Sequence, residues 1–220
     1  MKTRPAEIEN GSMAIITEEL RTRGVALPPE DAAVILRCIH ASADFDYAET
    51  LRFTPGAVEA GVKALRRGTE IVTDTNMALA GLSRPGLKKL GGAAYCFMAD
   101  ERVAEAARER GTTRAVAAVD WAAARHPHAI LAVGNAPTAL LRIAEKIEEG
   151  LRPALVIGVP VGFVNVAESK ERVLESCEKH GVPAIVALGR KGGSSIAAAV
   201  CNALLYTAAD MLDPKKRGWS

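Results

Sequence analysis

Two patterns of apolar residues divide this chain. Up to residue 68 they recur at helical spacing. Ile15, Ile16 and Leu20 share a stripe in a helix predicted from Ser12 to Arg23, and Gly24 follows it as glycine commonly follows a last turn. Pro28-Pro29 precedes a second helix, which carries the run Ala32-Ala33-Val34-Ile35-Leu36 and then Arg37 and His40. Pro55-Gly56 opens a third, with Val58, Val62 and Leu65 spaced to face a core, and Gly68 stops it.

From residue 70 short unbroken apolar runs alternate with helical ones. Strands are predicted at Glu70–Thr73, Ala94–Phe97, Ala129–Val133, Ala154–Gly158 and Ala184–Leu188. Helices are predicted at Asp100–Arg110, Arg114–Arg125, Thr138–Glu149, Ser169–His180 and Ser194–Met211, with Gly111, Gly150 and Gly181 in the place of C-terminal glycines. Such runs predict a parallel sheet covered on both faces. The expected architecture is one α/β domain over residues 1–213, three-layer α/β/α, with a mostly parallel central sheet of about five strands. Residues 214–220 read as a frayed, basic, solvated tail.

Composition narrows the function classes. At 220 residues and 49% apolar content, the chain can bury one substantial core. Basic and acidic residues nearly balance, 28 against 26, and aromatics are scarce at 4%, so no nucleic-acid partner is expected. No apolar run reaches the roughly 20 residues of a membrane span, so no membrane partner is expected. Leu155 to Val166 comes closest, and Gly158, Pro160 and Gly162 interrupt it. The charged start, Met1 to Glu7, lacks the apolar region of a signal peptide. Cys38, Cys96, Cys177 and Cys201 stand far apart without a C-x-x-C pair, so neither zinc nor a disulfide framework is indicated. A cytoplasmic, reducing location is the expectation.

In an open parallel sheet, ligands bind beyond the carboxyl ends of the strands. The predicted strands empty into Asp74-Thr75-Asn76-Met77, Met98-Ala99-Asp100, Gly134-Asn135-Ala136-Pro137-Thr138, Val159-Pro160-Val161-Gly162-Phe163 and Gly189-Arg190-Lys191-Gly192-Gly193-Ser194. Two of these loops are glycine-rich and lead straight into helices, where free N–H groups and the helix dipole attract anions. Each loop alone could be ordinary turn chemistry. Together, with Arg114, Lys170, Arg190 and Lys191 adding positive charge, they predict a large anion-receiving cleft. Arg114, Asn135, Thr138 and Lys191 are its candidate contacts.

Arg37 and His40 form the second candidate. Three residues apart on a helix, they share one face. A cation beside an imidazole, whose ordinary pKa is about 6.5, could hold an anionic substrate next to a proton donor. The plain alternative is a helix-end histidine bonded to a backbone carbonyl.

Other chemistries fit poorly. Pro137 stands where a dinucleotide fingerprint needs a second glycine, and Gly189 to Ser194 lacks P-loop spacing. His126-Pro127-His128 offers no third metal ligand. Ser42 and Ser194-Ser195 lack the hydrolase elbow. Nothing marks Lys191 as a desolvated Schiff-base lysine, and Glu168 and Lys170 read as helix-start charges.

Six segments, in order and spread over nearly the whole chain, resemble the precorrin-8X methylmutase family of corrin biosynthesis. They are Arg37-Cys38-Ile39-His40-Ala41, Gly111-Thr112-Thr113-Arg114, Gly134-Asn135-Ala136-Pro137-Thr138-Ala139-Leu140, Gly158-Val159-Pro160-Val161-Gly162-Phe163-Val164, Ala167-Glu168-Ser169-Lys170 and Gly189-Arg190-Lys191-Gly192-Gly193-Ser194. The resemblance implies an isomerase that shifts a methyl group from C-11 to C-12 of precorrin-8 or cobalt-precorrin-8, giving hydrogenobyrinate or cobyrinate. It implies no redox cofactor and no external methyl donor. The family's proton donor/acceptor maps onto His40, a substrate-contacting arginine onto Arg37, and a contacting serine onto Ser12. Met77, Phe163 and Val164 are candidate apolar walls for the macrocycle. Ala43-Asp44-Phe45-Asp46-Tyr47 and Leu51-Arg52-Phe53 look closer to the cobalt branch, in which the metal arrives inside the substrate. A homodimer is also implied. The competing readings are a non-catalytic tetrapyrrole carrier on the same scaffold and a nucleotide- or sugar-phosphate-binding enzyme.

Overall fold

The computed structural model describes residues 4–218. Among these, six strands form one sheet: β1 (Leu51–Phe53), β2 (Ile71–Thr73), β3 (Ala94–Cys96), β4 (Ile130–Val133), β5 (Leu155–Gly158) and β6 (Ala184–Ala187), in the order β1-β6-β5-β4-β2-β3. All neighbours run parallel except β1, which pairs antiparallel with β6 in the register Leu51↔Ala187. The five expected strands are present, and β1 is the additional one. At three residues, with Arg52 exposed, it is too short to show a period.

Side chains alternate across the sheet as strand geometry requires. Ile71, Ile130, Leu155, Ile157 and Ile185 enter one core, with helices α1 (Pro5–Thr22), α2 (Ala32–Ser42), α4 (Ala57–Arg66) and α11 (Ser194–Ala208). Val72, Leu131, Val133, Val156 and Val186 enter the other, under α8 (Arg114–Arg125), α9 (Pro137–Glu148) and α10 (Val166–His180). Burial on both faces explains why these strands read as unbroken apolar runs. Short helices α3 (Tyr47–Thr50), α5 (Asn76–Ala80) and α6 (Arg84–Lys89) fill connections, and α7 (Glu101–Glu109) packs Val103 and Ala107 against α8.

Two expectations need correction. The first helix begins at Pro5, not Ser12. Proline suits a first helical turn, and one interior glycine, Gly11, costs only about 1 kcal/mol. The C-terminal tail is not frayed over Pro214–Arg217. Those residues form a 3-10 turn capped by Asp213, whose carboxylate accepts from the Lys215 N–H at 2.9 Å. Pro214 is buried, and Arg217 reaches Glu9 on α1 at 2.7 Å. The remainder of the predicted tail, Trp219 and Ser220, lies outside the described residues.

The strand order reverses between β2 and β4: the chain leaves β2 towards β3 and leaves β4 towards β5. Here α11 starts against the loop after β4, and only glycine fits at Gly134. A Cβ there would lie 2.8 Å from the Ser194 Cα and 2.9 Å from the Gly193 carbonyl oxygen. Gly134→Ala should therefore cost about 1–3 kcal/mol. Urea unfolding tests this, and an unchanged midpoint would contradict the packing described.

Candidate active site

His40 lies in the last turn of α2. The inner stripe Val34, Ile35, Cys38 and Ile39 is buried, which leaves Arg37 and His40 half-buried on the flank. Ala43 ends the helix in a left-handed conformation, its N–H donating to the Ile39 carbonyl at 2.7 Å. Arg37 forms an ion pair with Glu9 Oε1 at 2.8 Å, and Arg217 donates to the same oxygen at 2.7 Å. Both guanidiniums lie over the Tyr206 ring of α11, 5.2 and 4.5 Å from its centroid. Glu9 is 5% exposed. Burial alone would raise its pKa, but the arginines hold the carboxyl below its ordinary value. Burial, Arg37 and Arg217 all push the His40 imidazole down, and Glu9 opposes them only in part. In the free chain His40 is thus neutral at pH 7.

Ser12 sits mid-helix on α1, one turn after Glu9, and its hydroxyl donates to the Ile8 carbonyl at 2.9 Å. It belongs to the helix that holds Arg37 but shows no link to His40 itself.

Lys191 is not a free anion seat. Its Nζ pairs with Asp44 at 2.7 Å and Asp46 at 2.5 Å, immediately beyond α2. The loop after β6 is thereby tied to the exit of the His40 helix. Lys170, read as a helix-start charge, is instead fully buried. Its ammonium donates to the carbonyls of Gly189 and Lys191, each at 2.8 Å, and burial lowers its pKa to about 8. The glycine loop is therefore clamped from below, through its carbonyls.

Arg114, Asn135 and Thr138 form a separate group on the opposite face of the sheet from α2. Arg114 opens α8 and is exposed, as is Asn135. Thr113, which caps α8, and Thr138 are joined hydroxyl to hydroxyl at 3.2 Å. The N–H groups expected to receive a ligand anion after β4 already have one. The Asp74 carboxylate accepts from Gly134, Asn135 and Ala136, each at 2.8 Å. Burial pushes the Asp74 carboxyl up while these three donors pull it down. An internal carboxylate thus fills the crevice where nucleotide-binding sheets seat a phosphate.

The edge remains open to apolar ligands. Met77, Phe163 and Val164 are 70, 81 and 76% exposed, and the Arg190 guanidinium lies 5.5 Å from the Phe163 ring centroid. Met77 follows β2 and Phe163 and Val164 follow β5, so all three stand at the carboxyl end of the sheet. His126 pairs with Glu70 while His128 faces the Arg152 carbonyl, so the two diverge. Among the described residues no three His, Cys, Asp or Glu side chains gather as a metal site, and no helix is long and apolar enough to cross a membrane.

Glu9, Asp74, Lys170 and Arg217 complete the picture that sequence reasoning missed. Asp74 carried a usable signal, a carboxylate directly after a predicted strand; the other three meet their partners only in the fold.

Fold and site define a class: a mostly parallel α/β protein with a half-buried histidine one helical turn from an arginine and with exposed apolar side chains on the loops at the carboxyl end of its sheet. A family model described as precorrin-8X methylmutase matches residues 7–207. The cobalt-precorrin-8 methylmutase of Leptospira interrogans is 45% identical over 203 residues, covering 90% of this chain and 91% of that one. That of Salmonella typhimurium is 45% identical over 206 residues, covering 92% and 95%. A solved precorrin-8x methyl mutase from Thermus thermophilus superposes with a TM-score of 0.83 at 42% identity, covering 93% and 98%. The chain belongs to the precorrin-8X methylmutase family, isomerases of cobalamin biosynthesis.

Asp74→Ala would strand three N–H groups at the sheet edge and should destabilise the protein by at least about 2 kcal/mol. Thermal and urea unfolding provide the check; a variant as stable as the parent would show that these bonds do not hold the loop.

Proposed function

We propose that this chain moves a methyl group from C-11 to C-12 of cobalt-precorrin-8, giving cobyrinate, with His40 as the proton donor and acceptor. The observation that carries the reading is His40 itself, a half-buried neutral imidazole one helical turn from a guanidinium. The substrate is a flat, largely apolar macrocycle fringed with carboxylates. Met77, Phe163 and Val164 are the proposed apolar walls, Arg37 the proposed partner of a rim carboxylate beside His40, and Arg114, Asn135 and Thr138, on the other face of the sheet, candidates for carboxylates farther along the rim. Ser12 stands beside Glu9 on the helix that braces Arg37. Lys191 shapes the site by holding its loop to Asp44 and Asp46. Cobalt enters as part of the substrate, and no cofactor is required. The family resemblance supports a homodimer.

The chemistry follows from the field around His40. A carboxylate arriving near Arg37 offsets the positive charge that depresses the imidazole, so substrate binding promotes protonation. The imidazolium then gives its proton to the conjugated ring, and the methyl migrates with its bonding pair to the electron-poor neighbouring carbon. Neutral His40 takes the proton back, so none is consumed. Proton transfer of this kind contributes roughly 10² to 10⁴ in rate, and confinement of a rigid substrate supplies much of the rest.

The sign of the pH dependence follows. Free His40 titrates below the ordinary 6.5, so kcat/KM should fall as pH rises through that lower value. For kcat, which reports the substrate complex, the fall should come at higher pH. Visible absorbance, which follows ring conjugation, gives both profiles with cobalt-loaded and metal-free precorrin-8. Two superimposed profiles would contradict the proposed coupling. Faster conversion of the metal-free substrate would move the protein to the other branch, and binding without conversion of either would favour a carrier.

A further inference from the structure

A buried lysine stands beneath the loop after β6. Lys170 lies one turn into α10, which begins at the carboxyl end of the sheet because it follows β5. Its side chain is fully buried, and its ammonium donates to two main-chain carbonyls, Gly189 and Lys191, each at 2.8 Å. Among the described residues it forms no ion pair, and burial alone lowers its pKa. An ammonium taken out of water without a counter-charge is costly, and an apolar side chain of similar length would fill the space without that cost. What the ammonium adds is a pair of charge-assisted hydrogen bonds to the loop.

The loop so held touches both halves of the site. On one side Lys191 reaches Asp44 and Asp46, just beyond the helix that carries His40. On the other, the Gly193 N–H donates to the Val159 carbonyl at 2.8 Å and the Gly162 N–H donates to the Arg190 carbonyl at 3.2 Å. A Cβ at Gly192 would lie 2.1 Å from the Val159 carbonyl oxygen, so the loops after β5 and β6 are pressed together. Arg190 lies over the exposed Phe163 ring. The outer tie is weak, because the Lys191 side chain is 49% exposed and exposed ion pairs contribute little in water. The inner tie is shielded from solvent. We propose that Lys170 is a positioning residue for the site: by holding the Gly189 and Lys191 carbonyls it sets the loop after β6, and through that loop fixes the apolar wall at Phe163 relative to the helix that carries His40.

The inference rests on the functional reading above, and its test separates the two. The full-length chain is prepared as K170M, K170R, K191M and K170M/K191M, and amide hydrogen exchange is followed by NMR without substrate. K170M keeps a side chain of similar length and removes the donors. It should speed exchange at Gly162 and Gly193, whose N–H groups join the two loops, by roughly tenfold relative to amides in β4 and β5. With cobalt-precorrin-8, K170M should raise KM roughly tenfold, about 1.4 kcal/mol, with a smaller change in kcat, and K170R should fall between it and the parent. Because both lysines act through one loop, the double variant should raise KM by less than the product of the single effects. If K170M lowers only the melting temperature, leaving KM and the two amides at parental values, Lys170 is structural and the proposal fails. The full product of the single effects would also contradict it, since the lysines would then act separately. Should K170M not fold, K170R decides: faster exchange at both amides with a raised KM supports the positioning role, and parental values overturn it. Faster exchange at those amides, in a chain whose parent converts no precorrin-8 substrate, would sustain the hold on the loop and overturn the functional reading instead.

Discussion

A buried carboxylate between two guanidiniums fixes where three distant segments meet. Glu9 lies near the start of α1, Arg37 in the middle of α2 and Arg217 close to the end of the chain. Removing such a charge from water costs several kcal/mol unless opposite charges and hydrogen bonds replace the solvent. Glu9 therefore needs its arginines, and through them α1, α2 and the C-terminal turn are held in one arrangement. His40 stands one helical turn from Arg37 in that arrangement, and its basicity is depressed first by burial and then by the two arginines.

The carboxyl edge of the sheet shows a different economy. In nucleotide-binding relatives of this architecture the loops leave N–H groups open for phosphate. Here Asp74 fills the group after β4, while Lys170 draws the loop after β6 inwards by its carbonyls. Lys191, the cation on that loop, is spent on Asp44 and Asp46. With these polar groups engaged internally, the proposed function leaves recognition to exposed apolar side chains and the remaining arginines. Such a surface suits a flat ring with charges at its rim better than a phosphate.

Much of this was legible in the sequence, for identifiable reasons. Strands β2, β4, β5 and β6 are covered on both faces, so their apolar runs stand out, and the helices between them carry caps and C-terminal glycines. Strand β1 was invisible because three residues, one buried, one exposed and one between, are too few to carry a period. The start of α1 was placed at Ser12, although Pro5 suits a first helical turn and the one interior glycine, Gly11, does not end a helix. At the site, Arg37 and His40 could be paired because their spacing is local. The partners that decide their chemistry are separated from them by the fold. Arg217 stands 180 positions after Arg37 in a run of basic residues that, without its carboxylate, resembles any solvated tail. Lys170 read as a helix-start charge and Lys191 as a substrate contact, yet the first is buried beneath the loop and the second is held on its surface by Asp44 and Asp46.

The central claim is that the proton needed for the methyl shift travels through His40. The most direct measurement mixes His40→Ala protein with cobalt-precorrin-8 and follows binding and the visible spectrum together. The variant should bind the ring with near-parental affinity, because Arg37 and the apolar edge are intact, and conversion should slow by roughly 10² to 10⁴. Conversion at the parental rate would contradict the claim, since the proton would then be carried by another group.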